Sequence, residues 1–185
     1  MARARLVYVM GASGAGKDSV LQYARRALDG RVPVIFAHRY ITRALGEDIE
    51  NFIALSRREF ALRRRRSLFA LHWRAYGFDY GIGIEIRRWL AEGLTVVVDG
   101  SRAHFRAQRA ALRGALPVLI TASEQELRRR LVARGRDDAR AIERRLSRAR
   151  RFTPQHPALV TIDNSGPLEV AGETFARLLK HASKR

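Results

Sequence analysis

Arg5-Leu-Val-Tyr-Val-Met-Gly-Ala-Ser-Gly-Ala-Gly-Lys-Asp-Ser-Val-Leu21 is the stretch that decides how the rest of the chain is read. The apolar run from Leu6 to Met10 has the length of a buried strand. It ends in a glycine-rich turn in which Gly11 and Gly16 stand at the spacing of a phosphate-binding loop, with Lys17 directly after. Val20, Leu21, Ala24 and Leu28 then recur at helical spacing. Strand, glycine loop, lysine and helix together make the context in which this motif acts as a site. The loop lets consecutive backbone N–H groups aim at one point, and the helix adds the positive end of its dipole there. The reading therefore places a ligand's phosphates on Gly11, Ala12, Ser13, Gly14, Ala15, Gly16, Lys17, Asp18 and Ser19, with Lys17 supplying a full charge to the β- and γ-phosphates. The residue after the lysine in such loops is normally Ser or Thr, whose hydroxyl holds Mg²⁺. Here it is Asp18, followed by Ser19. A carboxylate is also a hard oxygen ligand, so Asp18 and Ser19 are both candidate Mg²⁺ ligands.

The 185 residues suit a single domain with a sizeable core. The chain has no cysteine, which excludes disulfides and thiolate metal sites. No apolar run has the length of a bilayer span or a signal sequence, so a cytoplasmic protein without a membrane partner is expected. The net charge is +18, and lysine occurs only at Lys17, Lys180 and Lys184, leaving 33 arginines among the 36 basic residues. The arginines are spread along the chain, and the densest run, Arg63 to Arg66, has no interleaved aromatics. A phosphorylated small molecule is the more economical partner for this charge, ahead of nucleic acid.

The remaining pattern alternates strands and helices. Val32 to Ala37 reads as a strand running into His38-Arg-Tyr-Ile-Thr-Arg43, and Gly46-Glu-Asp as a turn. Phe52 to Leu55 reads as a strand, with a helix opening at the capping box Ser56-Arg-Arg-Glu59. The aromatic stretch from Leu68 to Gly81 predicts a small sheet or hairpin, with Tyr80 the aromatic singled out for function. A helix over 84–90 precedes Leu94-Thr-Val-Val-Val-Asp99, a continuous apolar run typical of a central parallel strand. Asp99, at its carboxyl end beside the loop, is the third candidate Mg²⁺ ligand. A helix over 103–113, a strand over 116–121 and a second capping box at Ser123-Glu-Gln-Glu126 follow. Arg130 and Arg134 share one helix face, Gly135 breaks that helix, and a helix opening at Asp137-Asp138 carries Arg145 and Arg148 opposite Ile142 and Leu146. This arginine-bearing pair suggests a cationic lid. A last strand over 159–162 leads through Pro167 to a terminal helix, with residues 180–185 expected as a frayed tail.

Laid out in this order, the chain resembles the guanylate-kinase-like branch of the P-loop kinases, and within it the ribose 1,5-bisphosphate phosphokinases. The segments that carry the likeness are Gly11-Ala-Ser-Gly-Ala-Gly-Lys-Asp-Ser19, Arg39-Tyr-Ile-Thr-Arg43, Phe52-Ile-Ala-Leu-Ser56, Phe69-Ala-Leu-His-Trp73, Tyr80-Gly81, Val98-Asp-Gly-Ser-Arg102 and Arg130-Leu-Val-Ala-Arg-Gly135. The resemblance implies a three-layer α/β/α fold with a parallel central sheet, its core at 1–38, 83–129 and 149–185. An acceptor-binding insert at about 39–82 and a helical lid at about 130–148 complete the single domain. It implies that Lys17, Arg130, Arg134 and Arg145 act on the transferring phosphate, that Asn164 lies near the adenine, and that Arg43 and Tyr80 hold the acceptor phosphate.

Guanylate kinases read guanine with a glutamate where this chain has Leu71, a small hydroxyl residue where it has Arg39, and an acidic residue where it has Ser101. A leucine cannot accept hydrogen bonds from guanine, and an arginine suits a second phosphate. Arg39, Leu71, Ser101 and Arg102 are therefore expected around a ribose 1,5-bisphosphate acceptor, with ATP as donor and phosphoribosyl pyrophosphate as product. Ala44-Leu45 lacks the proline and second basic residue common after Thr-Arg in guanylate kinases. Guanylate kinase activity, and a nucleic-acid-binding protein with a vestigial ATP site, stand as the alternatives.

Overall fold

The computed structural model describes residues 5–43, 51–108, 110–135, 138–151 and 154–184. The turn expected at Gly46-Glu-Asp, the departure at Ala44-Leu45 and the start of a helix at Asp137 lie outside them. Five strands form a parallel sheet in the order β2 (Val34–Phe36), β7 (Thr95–Asp99), β1 (Leu6–Gly11), β8 (Leu116–Thr121), β9 (Val160–Asp163). β1 lies in the middle, with Leu6 to Val9 opposite Val96 to Asp99 and Val7 to Gly11 opposite Leu116 to Ile120.

Alternation along β1 sorts the core into two layers. Val7 and Val9 enter one apolar cluster with α1 (Lys17–Leu28), α5 (Glu124–Ala133), α6 (Ala139–Arg151) and α7 (Leu168–Lys184). Tyr8 and Met10 enter the other, with Ile86 of α3 (Glu85–Ala91) and Phe105 of α4 (Arg102–Ala107). Because both faces are covered, the strands are apolar runs, which is why the sequence announces them.

A second sheet has the order β4 (Phe52–Ala54), β3 (Arg39–Ile41), β6 (Phe78–Gly83), β5 (Phe69–Ala75). β5 and β6 form the expected hairpin, turning at Tyr76 and Gly77, both with positive φ. α2 (Arg57–Arg65) starts at Ser56, whose Oγ accepts from Glu59 N–H at 3.1 Å. Ser123 caps α5 in the same way on Glu126 N–H, at 3.2 Å. Phe60, Phe69 and Leu55 make this sheet's own small core.

Two expectations are corrected. The helix predicted over 103–113 ends at Ala107, and turns through Leu112 and Ala115 replace its last part. Phe105 and Leu112 are both buried, so apolar spacing alone does not mark the break. The tail expected to fray from Lys180 instead continues α7 to Lys184, because Leu179 and Ala182 are buried against the core.

Candidate active site

The loop between β1 and α1 curls as its glycines allow. Gly14 and Gly16 have φ of +90° and +75°, conformations that a side chain would strain. A Cβ on Gly16 would also meet Asn164 Nδ2 at 2.4 Å. Asn164 is buried and donates to the Ala15 carbonyl at 2.8 Å. Its own carbonyl accepts from Arg130 Nη2 at 2.7 Å, and Glu126 holds Arg130 Nε at 2.6 Å. Arg145 donates from α6 to Ser13 Oγ at 2.7 Å. Asn164 and Arg130 thus brace the loop from behind, a role distinct from the adenine contact and the phosphate contact that the resemblance implies for them.

Lys17, the first residue of α1, places its ammonium between two carboxylates. It lies 2.7 Å from Asp18 Oδ1 and pairs with Asp99 Oδ1. The other oxygen of Asp99 accepts from Arg39 Nη1. Asp99 reaches this point because β7 lies next to β1 and ends level with the loop. The Lys17 charge, reinforced by Arg39 and Arg134 and opposed by burial, holds the Asp18 carboxyl far below the usual range. Burial works against the charge on Arg39, but Asp99 and Asp18 outweigh it and its pKa rises.

A cleft of about 540 Å³ opens beside the loop, lined on its far side by β5, β6 and the start of α4. Arg39, Tyr80, Ser101, Arg102 and Arg134 all line it. Arg43 follows β3 as a half-buried residue, near enough for its charge to act on the Tyr80 phenol. Leu71 packs into the apolar cluster below α3 and α4 and is not part of the cleft wall.

The wall also holds residues that sequence reasoning passed over. Trp73 stacks on Tyr80, with ring centres 5.5 Å apart and an interplanar angle of 5°, and meets His104 at 4.9 Å. His104 is buried and shares a hydrogen bond of 2.9 Å with the hydroxyl of Tyr8 in β1. Ser101 N–H donates to the same hydroxyl at 3.0 Å. Tyr8 thereby fixes the segment that follows Asp99, and Gly100 is required there, since a Cβ would fall 2.0 Å from the Tyr8 ring. A tyrosine in the middle of a buried strand was the available signal, because its hydroxyl needs a partner.

A loop for phosphates, a lysine, a strand-end aspartate and arginines around one cleft define a P-loop phosphotransferase. Comparison with known proteins agrees and is more specific. A family model described as an AAA domain matches residues 7–151. The chain is 53% identical over 175 residues to ribose 1,5-bisphosphate phosphokinase PhnN of Desulfomicrobium baculatum, covering 95% of this chain and 94% of that protein. It is 45% identical over 187 residues to the protein of the same name from Thiobacillus denitrificans, covering 100% and 98%. The corresponding Burkholderia pseudomallei protein is 49% identical over 182 residues, with 97% of each covered. Among solved structures, guanylate kinase from Anaplasma phagocytophilum superposes with a TM-score of 0.72 at 14% identity, over 99% of this chain and 88% of that one, and shares the fold. The chain belongs to the ribose 1,5-bisphosphate phosphokinase PhnN family.

Proposed function

We propose that this protein transfers the γ-phosphoryl group of ATP to the 1-phosphate of ribose 1,5-bisphosphate, giving 5-phosphoribosyl 1-pyrophosphate and ADP. The observation that carries this reading is the charge of the cleft. Lys17, Arg39, Arg74, Arg102, Arg134 and Arg148 line it, and Asp18, at the loop, is the one carboxylate among its described lining residues. Such a wall favours an acceptor with several negative charges. It offers no buried carboxylate for the N–H donors of a purine base.

An oxygen of the acceptor 1-phosphate attacks the γ-phosphorus. The bond from that phosphorus to the β–γ bridging oxygen breaks, and ADP leaves with the electron pair. A phosphate monoester is largely ionised at neutral pH, so no general base is needed. What remains is positioning and charge neutralisation. The loop amides and Lys17 hold the β- and γ-phosphates. Arg39, Arg43 and Tyr80 orient the acceptor phosphate, and Arg134 covers the equatorial oxygens. Asp18 and Asp99 converge on one ammonium, Ser19 lines the same hollow, and such hard oxygen donors fit Mg²⁺. Those three residues would hold the ion, which would supply charge neutralisation of the bridging and γ-oxygens. We assign acceptor binding to the segment at about 39–82 and closure to the helices at about 130–148. A cytoplasmic setting belongs to the same reading. Among the described residues, no helix is long and apolar enough to cross a membrane.

The test is an ATP-consumption assay with Mg²⁺, run separately with ribose 1,5-bisphosphate and guanosine monophosphate, with products identified by mass. Phosphoribosyl pyrophosphate from the first acceptor and no guanosine diphosphate from the second is the expected result. Guanosine diphosphate as the main product overturns it.

A further inference from the structure

Two groups of cations stand around the cleft, and Arg145 touches both, donating to Ser13 Oγ of the loop and lying near the ring of Tyr76. The first surrounds the loop: Lys17 and Arg39 pair with Asp99, and Asp18 is governed by Lys17, Arg39 and Arg134. The second gathers where three parts of the chain meet. Arg102, from α4, donates to the Ala149 carbonyl of α6 at 3.0 Å. Arg148, one residue earlier on α6, lies over the ring of Tyr76 at 4.8 Å, and Arg145 lies 5.9 Å from the same ring. Tyr76 sits at the tip of the β5–β6 hairpin, is 56% exposed, and has a φ of +52°.

The neighbours that act on the charge of Arg102 belong to this second group alone. Burial disfavours that charge, Tyr76 favours it, and the like charge of Arg148 disfavours it again. Arg102, bonded to the carbonyl next to Arg148, and Arg148, over the ring of Tyr76, set two guanidiniums on one rim of the cleft, a chemistry that suits a dianion. Each can offer paired N–H donors to phosphate oxygens. Along the wall between the two groups lie Trp73, stacked on Tyr80, and His104. An aromatic surface between two cationic ends suits a sugar carrying a phosphate at each end.

We infer that Arg102, Arg148 and Tyr76 form a second phosphate subsite, which takes the 5-phosphate of the acceptor and through it fastens α6 to the core. This rests on the activity proposed above. The 1-phosphate must meet the γ-phosphate beside Lys17, so the distal phosphate needs cations that the loop group does not supply. The subsite is shared by α4, α6 and the hairpin, so the distal phosphate is also the part of the substrate that draws these elements together. Binding energy from a non-reacting phosphate is then spent on closing the site around the reacting one. An acceptor that lacks it loses turnover as well as affinity.

The experiment compares ribose 1,5-bisphosphate with ribose 1-phosphate as acceptors for the wild type, Arg148→Ala and Arg148→Lys. Arg148 is exposed, so the substitutions spare the core. The wild type should prefer the bisphosphate by on the order of 10²-fold or more in kcat/KM. Arg148→Ala should shrink that ratio at least about tenfold, and Arg148→Lys should retain part of it. Added inorganic phosphate should raise wild-type turnover of ribose 1-phosphate and do so far less for Arg148→Ala. An acceptor ratio in folded Arg148→Ala equal to that of the wild type overturns the subsite. So does inorganic phosphate that only inhibits both proteins alike. A wild type that uses neither acceptor removes the underlying activity, and this inference with it.

Discussion

The glycine loop and the wall proposed to bind the acceptor face each other across one cleft but are built on different principles. The loop is made of backbone. Its N–H groups are the binding groups in the proposed function, and its shape is held by positive φ at Gly14 and Gly16 and by Asn164 and Arg130 from behind. The wall is made of side chains carried on strands of the second sheet and on α4, and its chemistry depends on which way each side chain turns. A backbone device tolerates little change in sequence and is written as a motif. A side-chain surface can be rebuilt residue by residue on an unchanged fold. A guanylate kinase at 14% identity accordingly shares the architecture, and the cleft here is lined by arginines and aromatics.

The largest effect should come from removing the one positive side-chain charge the loop contributes. Lys17→Ala should lower kcat by about 10³-fold or more, because a positioned cation acting on transferring phosphate in a water-poor site is worth that much. Thermal unfolding should stay within a few degrees of the wild type, since Lys17 sits at a helix start and the loop's braces remain. Near-normal turnover in folded Lys17→Ala would break the assignment of the loop to the transferred phosphate.

The two regions also differ in how far the sequence reveals them. All five strands of the parallel sheet are legible because each is a short apolar run between turn signals, and both capping boxes open helices where expected. Lys17 and Asp99 are legible as a pair because parallel strands that both end at the loop bring their carboxyl ends together. The wall is legible only as composition. Tyr80, Ser101 and Arg102 line it, but Leu71, placed there by alignment with a guanine-reading glutamate, packs into the apolar cluster on the same strand face as Trp73 and is not among the lining residues. A register shift in β5 falls between Phe69 and Leu71, and no spacing rule forecasts such an irregularity. His104 and Tyr8 were missed because their contact spans 96 residues and depends on the fold being formed.

The misplacement of Leu71 sharpens the comparison by a smaller effect. If identity at this position alone chose the acceptor, Leu71→Glu would create guanosine monophosphate kinase activity. The structure leads to a different result. A glutamate there enters the apolar cluster and costs roughly 1–3 kcal/mol, lowering the melting temperature by several degrees in a chain of this size. No guanosine diphosphate should form, and use of ribose 1,5-bisphosphate should fall less than about tenfold. Guanosine diphosphate from this variant would return Leu71 to the wall.

The smallest expected effect concerns the buried joint between the two regions. Burial, with the nearby charge of His72 adding to it, lowers the His104 pKa from 6.5 to about 4. Burial also pushes the Tyr8 phenol well above its usual value, so the pair is held neutral. Between pH 6.5 and about 4 the unfolded chain binds a proton at this residue that the folded chain does not. His104 therefore takes stability away as the pH falls through that window and contributes no pH dependence above it. From pH 7 to pH 5 this amounts to roughly 1–2 kcal/mol, readable as a shift in urea midpoint. His104→Gln, which cannot take up that proton, should lose correspondingly less stability over the same interval. Equal losses in the two proteins would mean that the imidazole is free to protonate in place. The wall's link to β1 through Tyr8 would then be looser than the 2.9 Å contact implies.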